Sequence, residues 1–352
     1  MSDVRLKING DIHSGWKQTR LIFSIDNIAN AFQLNLTDKW GADSQPRLVR
    51  MGASCEVWID KIKVITGYVD DVLPVYDAQS HMVTVTGRSK PADLVDSSHS
   101  GKQFKNRDLK QLADEICKPF GIKVFIANGV DIGKVFKEIE IETGESMFEF
   151  LEHAARIRAL RFMSTIDGNL IITKASRQRV STALVLGENI LKASGSFSIA
   201  DRFSEVTIIG SQSGSDDGWG AAAAHMKGSH KEPLFAALKR HRPLILTADG
   251  SVTLEDCKRR AQWEVNTRHG RGQSINYTVN GWFHGQGLWQ PNTIVPVKDA
   301  YQGIDQDLMI AEVQLISDDH GQRTELRVIP PQAFDLVTLP EPEAAGVSDA
   351  WG

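Results

Sequence analysis

Cysteine is scarce in this chain: Cys55, Cys117 and Cys257 are the only three among 352 residues. They stand far apart and are odd in number, which argues against a disulfide framework, and no pair has zinc-ligand spacing. Cys117 and Cys257 fall where an amphipathic helix would turn its apolar side inward, so each is expected to be a buried free thiol. Long apolar runs are missing as well. None approaches the roughly 20 residues of a membrane span, and no membrane insertion is expected. The opening stretch MSDVRLKINGDIHSGW lacks the apolar core of a signal peptide, so synthesis and folding in the cytosol are expected. An excess of one charge is absent too. Lys and Arg number 40 against 44 Asp and Glu, a net charge of −4. That excludes an overall attraction to nucleic acid. The basic clusters Lys239–Arg242, Lys258–Arg260 and Arg268–Arg271 read as solvated faces.

Catalytic signatures are equally sparse. The nearest approach to a G-x-S-x-G elbow, Gly210-Ser211-Gln212-Ser213-Gly214, has its serines at the wrong places. No Walker A, dinucleotide fingerprint or H-E-x-x-H occurs. His225, His230 and His241 share no helical register and read as ordinary exposed histidines. Asp216-Asp217-Gly218 lacks the remaining ligands of a calcium loop and reads as a turn. The carboxylate pairs Asp70-Asp71 and Asp318-Asp319 fall at strand ends and turns, where Asp bonds locally, and they occupy comparable places in two similar stretches. No catalytic, cofactor-binding or metal-ligating residue is therefore expected, and the chain is not expected to be an enzyme.

What is present is β patterning. With 41 % hydrophobic and 24 % charged residues the chain is globular, and its length predicts two to four domains. Residues 4–95 alternate like short antiparallel strands, among them Arg20–Asp26 and Ala31–Thr37 around the turn Asn27–Asn30. The period turns helical near residue 104. Leu109, Leu112, Ala113 and Ile116 form one stripe, Asn106 can cap it, and Pro119 stops it. Ile122–Ala127 reads as a strand. Ser146 and Glu149 have capping-box spacing for a second helix. Asp167-Gly168 predicts a hairpin between Arg161–Thr165 and Asn169–Thr173. Strands resume at Phe197–Ile199 and Ser204–Ile209. The small-residue segment 211–233 reads as a mobile loop, and Thr253 caps a helix that Gly270 ends. Residues 273–335 are strands again, and 339–352 a flexible tail.

The expected fold is α+β, mainly β. It comprises a first β-barrel at 1–95, a small α/β module at 96–176, and a second, discontinuous barrel at 177–210 and 270–338. An insertion with loop and helix covers 211–269. Residues 55–87 and 293–330 echo one another: short apolar strand, polar turn, second strand (Thr66–Val72; Leu308–Leu315), Asp-containing turn (Asp77; Asp318 and Asp319), closing strand. Three tryptophans stand out. Trp282 and Trp289 flank a Gly-rich stretch and read as buried residues on two strands joined by a tight turn, in preference to a sugar or base platform. Trp263, on the flank of the third helix, is a candidate interface or core anchor.

Several short strings then carry a family resemblance. They are Gly87–Asp96 (GRSKPADLVD), Ile116–Ile122 (ICKPFGI), Asp201–Ser204 (DRFS), Arg240–Pro243 (RHRP), Arg260–Glu264 (RAQWE), Gly281-Trp282, and Leu288–Asn292 (LWQPN). In this order and spacing the chain resembles the baseplate hub proteins of contractile-tailed phages, of the Mu-like prophage kind. The resemblance implies a homotrimer in which each chain supplies two domains similar to the tail-tube subunit. The three chains would form a pseudo-sixfold ring that adapts a hexameric tube to a trimeric membrane-piercing spike. Implied partners are the spike, the tube, other baseplate proteins, and tape-measure protein or DNA passing through the channel. The implied location is the virion's tail baseplate, assembled in the bacterial host cytoplasm. The competing expectation is a tail-associated carbohydrate-binding or cell-wall-degrading protein.

Overall fold

The computed structural model describes residues 2–37, 49–77, 81–211, 226–251, 253–285 and 287–335. Seven strands come first: β1 (Val4–Ile8), β2 (Asp11–His13), β3 (Gln18–Ser24), β4 (Ala31–Thr37), β5 (Ser54–Ile59), β6 (Ile62–Tyr76) and β7 (His81–Ser89). The buried–exposed alternation of β1 is what a half-covered strand requires. A module of α1 (Ala92–Asp96), β8 (Ser98–Arg107), α2 (Leu109–Cys117), β9 (Val124–Ile126), β10 (Phe136–Ser146), α3 (Met147–Ile157), β11 (Arg161–Ser164) and β12 (Leu170–Thr173) follows.

The C-terminal part opens with β13 (Leu184–Val185), β14 (Ile190–Phe197) and β15 (Glu205–Ser211). It continues through β16 (Met226–Lys231), α4 (Pro233–Ala237), β17 (Pro243–Ser251) and α5 (Leu254–Arg271). It closes with β18 (Gln273–Asn280), β19 (Phe283–His284), β20 (Gly287–Leu288), β21 (Thr293–Asp299), β22 (Ile304–Asp318) and β23 (Gly321–Ile329).

The fold is mainly β. Its largest sheet runs β14-β18-β23-β22-β3-β4-β7-β6-β5-β1-β2, with β13 and β21 attached beside β22. This sheet does not divide into two closed barrels among the described residues. The N- and C-terminal β regions are one open sheet, because β22 pairs with β3 from Glu312↔Ser24 to Ser317↔Thr19. They also share one core. Leu6, Leu21, Leu34, Val57 and Val85 pack in the same cluster as Tyr277, Trp282, Val295, Val313, Leu315 and Leu326.

Within that core the Tyr277 hydroxyl donates to Asp299 Oδ2 at 3.0 Å. Asp299 is itself 1 % exposed and also accepts the amides of Tyr301 and Gln302. Burial first, and the Asp299 carboxylate second, push the Tyr277 phenol well above its ordinary value of 10.0. A folded-state pKa raised above the unfolded one means stability that is complete below pH 10 and is lost as the pH rises further. Tyr277→Phe is expected to cost about 1–2 kcal/mol at neutral pH, since it leaves a buried carboxylate short of one donor. It should also flatten the alkaline limb of stability, as read by urea titration at a series of pH values.

The α/β module has its own core. Leu109, Leu112 and Ile116 of α2, with Leu151, Ala154 and Ala155 of α3, close over Phe136, Ile141 and Ile172. Asp108, not Asn106, caps α2 through a capping box with Gln111, and Asn106 instead takes a left-handed turn at φ 51°. Ser146 and Glu149 form the capping box of α3. The paired strands β8 and β10 carry charged or small polar residues at their outward positions, and no strand is expected there from the sequence.

Two further differences concern the insertion. Residues 226–231, read as loop, form β16 against β15. β15, assigned by pattern to the second barrel, lies in a separate three-stranded sheet with β16 and β17. Val206 and Ile208 of β15 are covered there by Cys257, Ala261 and Val265 of α5. The helix extends one turn-fraction past Gly270, to a cap at Gly272. The expected tail at 339–352, and most of the expected mobile loop, lie outside the described residues.

Candidate functional site

The echo seen in the sequence becomes a repeated pairing pattern. β6 and β22 are both 15 residues long, and β7 and β23 both nine. Asp71 pairs with Thr86, and Glu312 with Arg327, so both members of each pair are separated from their counterparts by 241 positions. The register shift beside Asp70 recurs beside Ala311 at the same separation. One strand further out, Phe32↔Gly87 corresponds to Ile275↔Val328, and beyond that Thr19↔Leu34 corresponds to Ala193↔Tyr277. The runs β5-β6-β7-β4-β3 and β21-β22-β23-β18-β14 are therefore two copies of one five-stranded unit. Asp77 and Asp318 fall at the same place in the two copies. The pairs Asp70-Asp71 and Asp318-Asp319 do not, contrary to the expectation from sequence: the first lies at the bulge and the second at the hairpin turn.

The copies meet at a seam. The first half of β22 pairs with β21 and the second half, Glu312–Ser317, with β3. Leu315 faces Leu21 across the seam, and both are buried to 1 % or less. Ile25 donates its amide to Ala311 O at 2.9 Å, and Arg20 Nε donates to Gln314 Oε1 at 3.0 Å on the outer face. The equivalent half of β6, Asp71–Tyr76, has β7 on one side and no strand on the other among the described residues. The equivalent of β3 is β14, whose one strand neighbour among the described residues is β18, apart from a single bridge between Ile190 and Leu186. Both edges are apolar and open: Leu73 is 51 %, Val75 60 %, Tyr76 76 %, Leu191 63 % and Phe197 55 % exposed. Folded monomers seldom leave such edges bare, because unpaired strands recruit other chains.

The strings that carried the resemblance prove to be framework. A Cβ on Gly87 would lie 2.4 Å from Phe32 Cζ, so only glycine fits between β6 and β4. Arg88 joins Asp70 on β6 and Asp96 at the end of α1, both at 2.7 Å, and holds the Asp96 carboxyl below its ordinary range. Ser89 Oγ accepts the Asn30 amide at 3.0 Å. Arg202 is buried against Glu232 and lies 2.8 Å from His269 Nδ1. Phe203 lies under the guanidiniums of Arg242 and Arg268.

Of the three tryptophans, Trp282 is in the main core and donates to Ile316 O at 2.9 Å. Trp289 is buried in the same core beside His284, at 4.6 Å between ring centroids. Neither ring is free to act as a platform. Trp263 is half-buried, donates to the Asp335 carbonyl, and helps line a cavity of about 460 Å³ with Ile25, Arg161 and Phe334. Burial pulls the Arg161 guanidinium there down to about 10, which leaves it charged at neutral pH above the Phe334 ring. Sequence reasoning brought Trp282 and Trp289 together. It missed the open edges, whose signal was faint: Pro74 in an apolar run, and the small residues Ser194-Gly195-Ser196.

Known proteins resemble this chain in sequence and in fold. Residues 3–89 match the family model for the Mu phage baseplate assembly protein GpP-like N-terminal domain, and 91–174 that for the second domain of baseplate hub protein gp44-like proteins. Residues 253–337 match the fourth domain of Mu phage GpP. Baseplate hub protein gp44 of Escherichia phage Mu is 30 % identical over 341 residues, spanning 94 % of this chain and 88 % of gp44. The chain belongs to the Mu-like baseplate hub family. The hub also resembles the 43 kDa tail protein of prophage MuSo2 from Shewanella oneidensis, at 36 % identity and a TM-score of 0.83, covering 95 % of this chain and 100 % of that one. The tail protein of Neisseria meningitidis MC58 gives 24 % and 0.77, covering 95 % and 98 %. At 10 % identity and 0.58, the E. coli type VI secretion component c3393 shares the fold over 96 % of this chain and 80 % of its own. This hub is thus a tail baseplate protein of a virion.

Proposed function

We propose that three copies of this hub close into a pseudo-sixfold ring. One face seats the hexameric tail tube, the other receives a trimeric membrane-piercing spike, and the central opening passes tape-measure protein or DNA. The observation that carries this reading is the duplicated five-stranded unit with its constant register. A sixfold partner and a threefold partner can share an adaptor that offers six near-equivalent contacts on one side and three true repeats on the other. Two like units in each of three chains meet that condition. The units at 1–95, and at 177–204 with 270–338, act as the two tube-like domains, each completed as barrel wall only in the ring. The α/β module and the insertion, which with β15 covers 205–269, lie outside and meet other baseplate proteins. The spike as partner draws support from fold relatives described as resembling T4 gp27 and gp5 or as a PdpA–VgrG complex. The role is structural and not catalytic, with assembly in the host cytoplasm.

Multi-angle light scattering tests the reading. The expected mass is that of three 38.9 kDa chains. A mass of one chain at micromolar concentration would refute it.

A further inference from the structure

The seam between the two copies inside one chain is a template for a contact between chains. At the seam β22 receives β3 in a fixed register. The internal repeat gives each participant a counterpart. Glu312–Ser317 corresponds to Asp71–Tyr76, and Thr19–Ser24 to Ala193–Ser198. Both counterparts are open edges. They cannot meet within one chain, where six strands stand between them along the sheet.

Resting on the three-copy reading, we propose that β6 of each chain pairs antiparallel with β14 of a second copy of this chain, in the register copied from the seam. Val313↔Phe23 then becomes Val72 against Phe197 of the neighbour. Gln314↔Ile22 becomes Leu73 against Ser196, Leu315↔Leu21 becomes Pro74 against Gly195, and Ile316↔Arg20 becomes Val75 against Ser194.

Three observations fit this partner and this register. The first is hydrogen-bond phase. Ser198 gives its amide to Gly272 O at 2.7 Å, on the β18 side, so the amides of Phe197, Gly195 and Ala193 point to the open edge. On β6 the phase set by the bulge points Val72, Pro74 and Tyr76 outward, and these are the residues the template places opposite them. The second is the proline. Pro74 sits where its missing N–H costs β7 nothing, as prolines in strands do at edges. It leaves the pairing one donor short, which blunts the edge against self-association. The third is size. The bulky Leu73, Pro74 and Val75 meet Ser196, Gly195 and Ser194, so large side chains on one strand face small ones on the other. Three such junctions join the runs β14-β18-β23-β22-β3-β4-β7-β6 end to end and leave no open edge along the ring.

Disulfide trapping decides the register. Leu73 and Ser196 form a pair without mutual hydrogen bonds, whose Cα atoms lie about 4.5 Å apart, within disulfide reach. Oxidised full-length protein carrying Leu73→Cys and Ser196→Cys is expected to run mostly as covalent trimer on a non-reducing gel. Either single variant, the wild type with its three buried native cysteines, and the offset pair Leu73→Cys with Lys192→Cys are expected to stay uncrosslinked. As a second measurement, Ala193→Pro removes an outward amide only. It should drop the light-scattering mass from three chains to one with the circular dichroism spectrum unchanged. A trimeric mass without crosslinking of the matched pair, or equal crosslinking of the offset pair, overturns the edge pairing while sparing the trimer. A monomeric wild type overturns both.

Discussion

Arg202→Met is expected to lower folding stability by about 3–5 kcal/mol, the usual consequence of stranding one partner of a buried ion pair. Arg202 and Glu232 have side chains only 6 % and 4 % exposed, and the guanidinium bonds the carboxylate directly. The pair ties the segment after β14 to the turn before α4. His269, near the end of α5, reaches Glu232 Oε1 at 3.2 Å, and so fastens the helix to the same point. Without Arg202, only this half-exposed imidazole faces the buried carboxylate. Urea titration followed by circular dichroism measures the loss. Glu232→Leu added to Arg202→Met should recover most of it, because replacing both charges by apolar groups removes the stranded one. An unrecovered double variant would mean that packing, and not charge, is what Arg202 supplies.

Leu315→Ala is expected to cost about 2–5 kcal/mol, the range for emptying a fully buried leucine site. Its place makes the consequence wider than a local cavity. Leu315 faces Leu21 across the seam that joins the two β copies, in a core drawn from both. Leu21→Ala should cost a similar amount, and the two losses should fall short of additivity, since both empty one volume. Intrinsic fluorescence, to which Trp16 and Trp58 contribute from the first β region and Trp282 and Trp289 from the second, and far-ultraviolet dichroism should lose the two β regions in one transition. Two separated transitions would show that the copies fold as independent domains.

The sequence carried the large features by their periodicity. Alternation in Arg20–Asp26 and Ala31–Thr37 marked β3 and β4, and the Ser146/Glu149 spacing marked α3. The repeat was visible through its punctuation, with Asp77 and Asp318 at one structural position. Its partition into two barrels failed for a physical reason. Which strand lies beside which is decided between Leu21 and Leu315, almost 300 residues apart, and no local pattern records that choice. β8 and β10 were missed because their outward residues are charged, polar or glycine and their inward apolar ones few: Phe104, Phe136, Ile139 and Ile141. β16 was missed because MKGSHK has one apolar side chain, Met226, and so shows no alternation. Its glycine is required, since a Cβ on Gly228 would lie 2.4 Å from the Lys258 backbone nitrogen. The open edges were hidden for the opposite reason: apolar residues in a strand read as core, and only pairing shows that nothing covers them.

Imaging the wild-type particle end-on tests the duplicated unit as a ring-builder most directly. The account predicts closed rings with an axial hole, whose inner rim shows sixfold rotational power over a threefold outline. Compact particles without an opening, or rings whose inner rim shows only threefold order, would contradict it.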